Sequence, residues 1–538
     1  MTDTTFQSQI TVVTAPWCQD INDAVYRVLG QDGTTPVNPG LAATLQVNTV
    51  RTSIAALRAA VRTSITPFVF VTGYRVSGDG GGGLYWANLA DMTSLDNNGT
   101  IIVGADGTRW YLNASYPVSI FTFGAYGDGT HDDAPALASY VAALPAAGGL
   151  LYLPGGRTYA ISAWPDFTNK TGITVKGDGG VTAGAAATTL VYVNATGAAN
   201  FINAPGSVAL CIEGIQFITK NASFTGFIVG LGSSPANSAF TKIRRCGFYG
   251  SGAAKYIAKA ITLDKAIEVE IDSCVFGQLL YAINGANNSS FSNVVKITQC
   301  QFIDTSQIPI QGGGQAWWVK GNTFEGYNSG TPGNVEAGAM VNFPTNPFNG
   351  LEFASNWLGD VLTNGGTWLS LSGGGIEIHG GNFFGGNAAS DAIALASVDS
   401  ANITGNTFNT FQVAITFGTG NGPNIRIGPN EFISVTNRFG STANWPGYAG
   451  PVFYEPLSNA KMRIYGQVTV TAGTPVTVAF PFSLAATPES INVSLIAPTS
   501  STSTVYVTSP ASSQIVLNTG GPAGTSIVYW EVSGPLPN

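Results

Sequence analysis

One six-residue phrase recurs nine times between Cys211 and Ser434, and it limits the possible folds more than any other feature of the chain. An aliphatic or aromatic residue is followed by two variable positions, usually a small or amide residue, one more position, and a large apolar residue. The copies are Ile212–Phe217, Ile243–Phe248, Ile271–Phe276, Ile297–Phe302, Val319–Phe324, Phe353–Leu358, Ile378–Phe383, Ile403–Phe408 and Ile427–Phe432, and successive copies start 22 to 34 residues apart. A fixed phrase at such a period is the mark of a solenoid. Each copy is too short for two helices, and its β-branched and aromatic residues alternate with polar ones as strands require.

A second phrase falls between the copies: Ala260–Leu263, Ala282–Asn284, Pro309–Gln311, Met340–Phe343, Trp368–Leu371, Ala392–Leu395 and Ala414–Phe417. Each repeat therefore holds two or three short strands, enough for one coil of a parallel β-helix whose inward Ile and Val column buries each coil on the next. Cys246, Cys274, Cys300, Asn322, Asn356, Asn406 and Asn430 recur two places before the apolar anchor, where a tight turn suits asparagine and side-chain amides can bond from coil to coil. Two copies are irregular. The first has Ile215 in that place, and Gly381-Asn382 has drifted by one.

Composition agrees with this expectation. The 538 residues are 44% hydrophobic and only 10% charged, with 68 glycines, so a large core comes with little surface charge. A net charge of -8 argues against a nucleic-acid partner. No apolar run is long enough to span a membrane, and the first residues lack the basic-then-apolar pattern of a leader. Three of the five cysteines share one repeat column, so they read as small buried residues rather than disulfides or metal ligands, and no metal or cofactor is expected.

Residues 1–66 have mixed, partly helical character. Val47, Val50, Ile54, Leu57 and Val61 follow the a/d spacing of a short coiled coil, which would matter if several chains meet there; an amphipathic helix lying on its own domain fits equally. Residues 67–120 read as a small β-domain. The glycine run Gly80–Gly83 lacks the Lys-Ser/Thr ending of a phosphate loop and is taken as a tight turn. Residues 121–450 open with Asp132 and Asp133 ahead of a helical segment, Ala134–Leu144, whose N-terminus either can cap. That helix is expected to plug the open end of the solenoid. Asp128, His131, Asp132 and Asp133 look like a catalytic cluster, but capping and turn formation explain the aspartates. In residues 451–538, short alternating strands with Pro, Gly, Ser and Thr turns fit a β-sandwich, expected to join copies of the chain in preference to binding sugar.

The stretch Phe123–Ala134, followed by Gly148–Gly156 and Tyr159–Ser162, resembles the opening motif of the pectate-lyase-like superfamily. The glycine-rich segment before it, with Leu84–Trp86, Asn98–Ile102 and Arg109-Trp110, resembles the small domain that precedes this motif in bacteriophage tailspikes. With the repeats, the resemblance covers residues from Pro67 to Ser434. It implies an all-β virion protein built as a homotrimer of right-handed parallel β-helices, attached to the phage tail or baseplate through its N-terminal region. It also implies recognition, and usually cleavage, of a bacterial surface polysaccharide (capsule or O-antigen). Fold alone does not license that function.

Hydrolysis of a glycosidic bond needs two carboxyl groups. Elimination at a uronic acid needs a base and a cation instead. With two histidines in the chain, carboxylates come first. Asp304, Glu325 and Asp360 follow the anchors of three successive coils, the insertion after Glu325 carries Tyr327 and Glu336, and this corner is the first choice for catalysis. A rival column lies beside the buried Ile column: Lys242, Glu270, Lys296, Trp318, Glu352 and Glu377, with Arg244, Asp272, Lys320 and His379 two places on. There Glu352 and Glu377 on adjacent coils can share a proton, which would raise one pKa, but a solvated or chain-facing ladder of compensating charges is the favoured reading of this column. Thr262, Asn284, Gln311, Asn342, Ser370 and Thr416 form a neutral strip suited to sugar hydroxyls, and Trp317, Trp318, Tyr327 and Trp368 are candidates to stack on sugar rings. Three function classes stay open: a depolymerase acting by hydrolysis or as a lyase, a spike that binds glycan without cutting it, and a secreted polysaccharide enzyme.

Overall fold

A computed structural model describes residues 50–62, 68–113, 118–179, 188–232, 237–255, 257–285, 292–303, 308–325, 339–343, 349–359, 366–386, 388–421, 424–441, 452–458, 461–479, 487–497, 504–511, 514–520 and 525–535. The chain divides into two compact units, residues 1–144 and 145–538.

In the first unit, Val50–Arg51 pairs parallel with Phe68–Val71, and Gly83–Asn88, Arg109–Leu112 and Ile101–Val103 complete the sheet antiparallel in that order. Helix α1 (Ile54–Arg58) starts where Ser53 accepts the Ala56 N–H. Its Ile54 and Leu57 join Val69, Val71, Tyr85, Ile102, Trp110 and Leu112 in one core. Of the two readings of this stretch, the amphipathic helix lying on its own domain holds and the coiled coil does not: Val50 is in a strand, Val61 is exposed, and α1 is too short to present a heptad seam. The glycine run is a turn, as expected. Gly78 and Gly80 have φ of 86° and 87°, and the Asp79 carboxylate between them accepts the N–H groups of Tyr74, Arg75, Val76 and Gly81. Helix α2 (Ala134–Ala142) begins where Asp132 accepts the Ala134 N–H, while buried Asp133 turns back to the N–H groups of Tyr126 and Gly127.

The second unit begins with a parallel β-helix of three strands per coil. The repeated phrase bridges two of its three sheets. Its first half closes a strand of the charged sheet (Lys242–Arg244, Ala266–Asp272, Ser292–Thr298, Gly314–Lys320, Asn349–Ala354 and onward), and its second half is a strand of the anchor sheet (Gly247–Gly250, Val275–Gly277, Gln301–Ile303, Thr323–Glu325, Trp357–Leu358, Phe383–Gly385 and onward). The second phrase forms the polar sheet (Lys259–Leu263, Tyr281–Asn284, Ile308–Gln311, Ala339–Phe343 and onward). Between charged and anchor sheets the chain turns through a left-handed residue on each of these coils: Arg245, Ser273, Gln299, Gly321, Ser355 and Gly380 have φ between 50° and 73°, and Gly381 adds a second on the last.

The inward Ile column is in register from Ile212 through Ile243, Ile271, Ile297, Val319, Phe353, Ile378 and Ile403 to Ile427. The anchor phenylalanines stack face to face, with centroids 5.4, 5.2, 5.1 and 4.7 Å apart from Phe217 to Phe324. Burying each is worth roughly 1.5–3 kcal/mol as an upper bound. The seventh anchor is Phe384, which pairs with Leu358 and Phe408, rather than Phe383 as the repeat suggested; one extra residue in the turn before Asn382 shifts the spacing.

That turn is lined by an amide ladder. Asn322, Asn356, Asn382 and Asn406 each donate Nδ2–H to the Oδ1 of the asparagine on the next coil, at 2.8–3.1 Å, ending on Asn430. Each also bonds a main-chain carbonyl of the preceding coil. The thiols of Cys246, Cys274 and Cys300 continue the column, donating to carbonyls in the same way, and all three cysteines are free and buried.

After the solenoid, two antiparallel sheets face each other. One orders Val452–Ser458, Lys461–Thr471, Thr525–Pro535 and Ser490–Ala497; the other orders Val476–Ala479, Gln514–Gly520 and Thr504–Ala511. Val468, Val470, Val478, Ile515, Leu517, Val528, Trp530 and Val532 fill the space between them, as in a β-sandwich.

Candidate active site

Strand alternation turns one column of the charged sheet outward, and register keeps it straight. Lys242, Glu270, Lys296, Trp318, Glu352, Glu377, Asn402 and Arg426 are neighbours on successive coils. Two residues on, Lys320, Ala354 and His379 form the adjacent column. Because Ala354 is small, Lys320 and His379 converge on Glu352 from the coils either side: Lys320 Nζ lies 2.6 Å and His379 Nε2 3.2 Å from Glu352 Oε1. The Lys320 hydrogen bond, helped by the charges of Lys320 and His379 and opposed by partial burial, holds the Glu352 carboxyl below its ordinary range. The expected raised pKa from a proton shared with Glu377 does not apply to Glu352, since cations compensate its charge first.

Glu377 is the register partner of Glu352 and is exposed. Its Oε2 accepts a 2.8 Å hydrogen bond from Asn402 Nδ2. Beside it lies a shallow hollow of about 230 Å³ lined by Gly375, Ile376, Glu377, Ser400, Ala401, Asn402 and Arg426. Lower on the same face the column is compensated by ion pairs, with Arg244 Nη2 2.5 Å from Glu270 Oε1. Trp318 is half-buried, with Lys296 Nζ 5.7 Å from its ring centre.

The other candidates are scattered. Glu325 ends its strand exposed, in register with Ile303 and one place beyond the Phe324–Leu358 pair. Asp304 and Asp360 lie two places beyond their anchors, so Glu325 does not share their sequence position; Asp304, Tyr327, Glu336 and Asp360 lie outside the described residues. Gln311, Asn342, Thr262, Asn284 and Ser370 form one half-buried polar column, broken by Ala394 before Thr416. Trp368 is corrected from sugar platform to core: it is fully buried, and its Nε1–H donates to the Gly385 carbonyl. Trp317 is likewise buried, edge-on to Phe343. Among the described residues no three His, Cys, Asp or Glu side chains group as metal ligands.

Asn402, Arg426 and Trp357 were missed in the sequence. The first two continue the Glu352–Glu377 column two coils further, and alternation alone would have found them. Trp357 precedes an anchor just as Phe383 does, and taking Phe383 for the anchor hid the pair.

Residues 50–114 match a family described as the phage tail protein small four-stranded beta-sheet domain. This segment is a phage tail domain. It spans the small sheet of the first unit, with Val50–Arg51 as the added parallel strand. No curated protein matches the chain. Among solved structures, the chain is similar to tailspike protein gp49 of Acinetobacter baumannii bacteriophage Fri1, a capsular polysaccharide depolymerase, at 14% identity and TM-score 0.42, covering 91% of this chain and 98% of that one. It is similar to the enzymatically active domain of bacteriophage CBA120 tailspike protein 2 at 18% identity and TM-score 0.44, covering 96% and 83%. It is also similar to the Streptococcus pneumoniae surface protein and adhesin PfbA, at 15% identity and TM-score 0.44, covering 61% and 100%. Likenesses this distant leave the site to be argued from this chain's own residues. Beyond the phage tail domain, no helix among the described residues is long and apolar enough to cross a membrane.

Proposed function

We propose that the protein is a homotrimeric phage tailspike that attaches to the virion through its N-terminal region and depolymerises a bacterial surface polysaccharide by glycosidic hydrolysis. The observation that carries the chemistry is the register pairing of Glu352 with Glu377 on adjacent coils. Coils are about 4.8 Å apart, close to the roughly 5–5.5 Å that separates the two carboxyl groups of a retaining glycosidase. Glu352, kept ionised by Lys320 and His379, is the nucleophile. Glu377 is the acid and then the base; Asn402 holds one of its oxygens and leaves the other for the proton. The hollow beside Glu377 receives the leaving sugar. The phage tail domain ahead of a β-helix supports the virion assignment.

A lyase is the second reading, favoured by Lys320 and His379 converging on one carboxylate, a set that would serve a uronate. Digestion of purified capsular and O-antigen polysaccharides, followed by new reducing ends and by ultraviolet absorbance of unsaturated uronate, separates the two. Reducing ends without absorbance support hydrolysis. Absorbance selects the lyase, and neither signal with binding retained leaves a non-cutting spike.

A further inference from the structure

Trp357 is 47% exposed in a chain that fully buries Trp110, Trp317, Trp368 and Trp530. It stands on the outer face of the anchor sheet, one residue before Leu358. Its ring stacks on Phe383 of the next coil, with centroids 4.3 Å apart and planes 12° apart. The stack is two rings long. Its register neighbours are Thr323 on one side and Thr407 on the other, so Phe383 takes one face of the indole and the opposite face looks toward a small hydroxyl residue.

Two glycines set how the rings lie. Gly359 and Gly385 follow Trp357 and Phe383 by two, in the neighbouring outward column. A Cβ on Gly359 would sit 1.9 Å from Trp357 Nε1, and one on Gly385 would sit 3.4 Å from Phe383 Cε1. The rings therefore lean along their strands over positions that carry no side chain. In register with Gly359 on the preceding coil, the one that bears Thr323, stands the exposed carboxylate of Glu325, one place past the described Phe324–Leu358 pair. An aromatic face open on one side, with a hydroxyl and a carboxylate beside it, is the recognition set for a pyranose: its C–H face packs on the ring and its hydroxyls donate to the oxygens.

The platform is also placed for the reaction. Ala354 and Trp357, like His379 and Phe383, are joined by the left-handed turn at Ser355 and Gly380. The stacked rings thus lie one tight turn from Glu352 and His379 on the same coils, with Lys320 on the coil before. We infer that Trp357 and Phe383 form a sugar-stacking subsite, with Glu325 accepting from the hydroxyls of the bound pyranose, and that the polysaccharide crosses the asparagine corner from this platform to Glu352 and Glu377. This rests on the polysaccharide activity proposed above.

The test uses the full chain and a panel of purified bacterial capsular and O-antigen polysaccharides, with equilibrium binding and steady-state cleavage measured on those that wild-type protein binds. Trp357→Ala is expected to weaken binding about tenfold and to raise KM with kcat within about threefold, while Trp357→Phe stays within about threefold of wild type. Unchanged binding and KM in Trp357→Ala, with wild type binding, overturn the subsite alone. Wild-type protein that binds none of the panel overturns the polysaccharide reading and the subsite with it. A lower oligomeric mass for Trp357→Ala in light scattering also overturns the subsite, because the pair would then be a contact between copies of the chain.

Discussion

Phe353 and Leu358 exchange the sizes that the eight other coils of the repeat give to their two inward columns. Elsewhere an aliphatic residue faces the Ile column and phenylalanine is the anchor; here the phenylalanine is in the Ile column and leucine is the anchor. The Phe353 ring fills the gap, 6.5 Å from Phe324 and 6.2 Å from Phe384, so the aromatic stack passes through the other wall for one coil. Phe353→Ile is expected to cost about 2–4 kcal/mol, because the shortened side chain leaves a cavity. Adding Leu358→Phe should recover roughly 1 kcal/mol or more. A double-mutant cycle of chemical denaturation checks it, and simple additivity would refute the exchange.

The amide ladder is a stability element with buried donors at every rung. Asn356, 2% exposed, bonds Asn322, Asn382 and the Val319 carbonyl. Asn356→Leu keeps the branching at Cγ but removes every polar atom and strands partners on both sides, at about 2–4 kcal/mol. Thermal unfolding of the variant should show a fall far larger than that of an exposed control such as Thr436→Ala.

Asp79 ties the glycine turn of the phage tail domain. Burial raises its pKa, but four backbone N–H groups outweigh that and leave it lowered from 3.8. A depressed folded value stabilises the unit above the unfolded pKa, and this contribution is lost as pH falls through the folded value. Asp79→Asn should lower stability by about 1–3 kcal/mol at neutral pH and flatten the acid side of the pH–stability curve. A variant curve parallel to wild type would rule this out.

At the proposed active site, Glu352→Gln and Glu377→Gln should each reduce kcat by about 10²–10⁴-fold with binding retained. Lys320→Ala removes the main cause of Glu352's low pKa. The acid limb of kcat/KM, which reports the ionised nucleophile, should then move to higher pH. An unmoved limb would mean that Glu352 is not the titrating group.

Much of this architecture was legible because a solenoid repeats its constraints. The Ile column, the Asn and Cys column and the outward charges all kept their sequence spacing in three dimensions. In the small domain the heptad spacing of Ile54 and Leu57 left a coiled coil and a helix lying on its own domain equally open; their burial in a β-sheet core decides for the second, and only tertiary packing could decide it. Trp368 misled because its position in the repeat fixes it inward, whereas stacking on sugar was argued from residue type. Phe383 misled because one added residue reverses which of two adjacent aromatics faces in. Electrostatic partners were beyond reach: that Lys320 and His379 converge on Glu352 depends on Ala354 being small between them, which only the aligned coils reveal.

That added residue has a further consequence. Ala354 pairs with His379 before the turn and Trp357 with Phe383 after it, although two residues lie between Ala354 and Trp357 and three between His379 and Phe383. Gly381 takes up the surplus at φ 77°, and a Cβ there would meet nothing within 4 Å, while Asn382 still reaches Asn356 and Asn406. The corner is a splice point. Residues added at Gly381 start into open space while the coils above and below stay in frame, so the outer surface of the corner can change without disturbing the shaft that carries it.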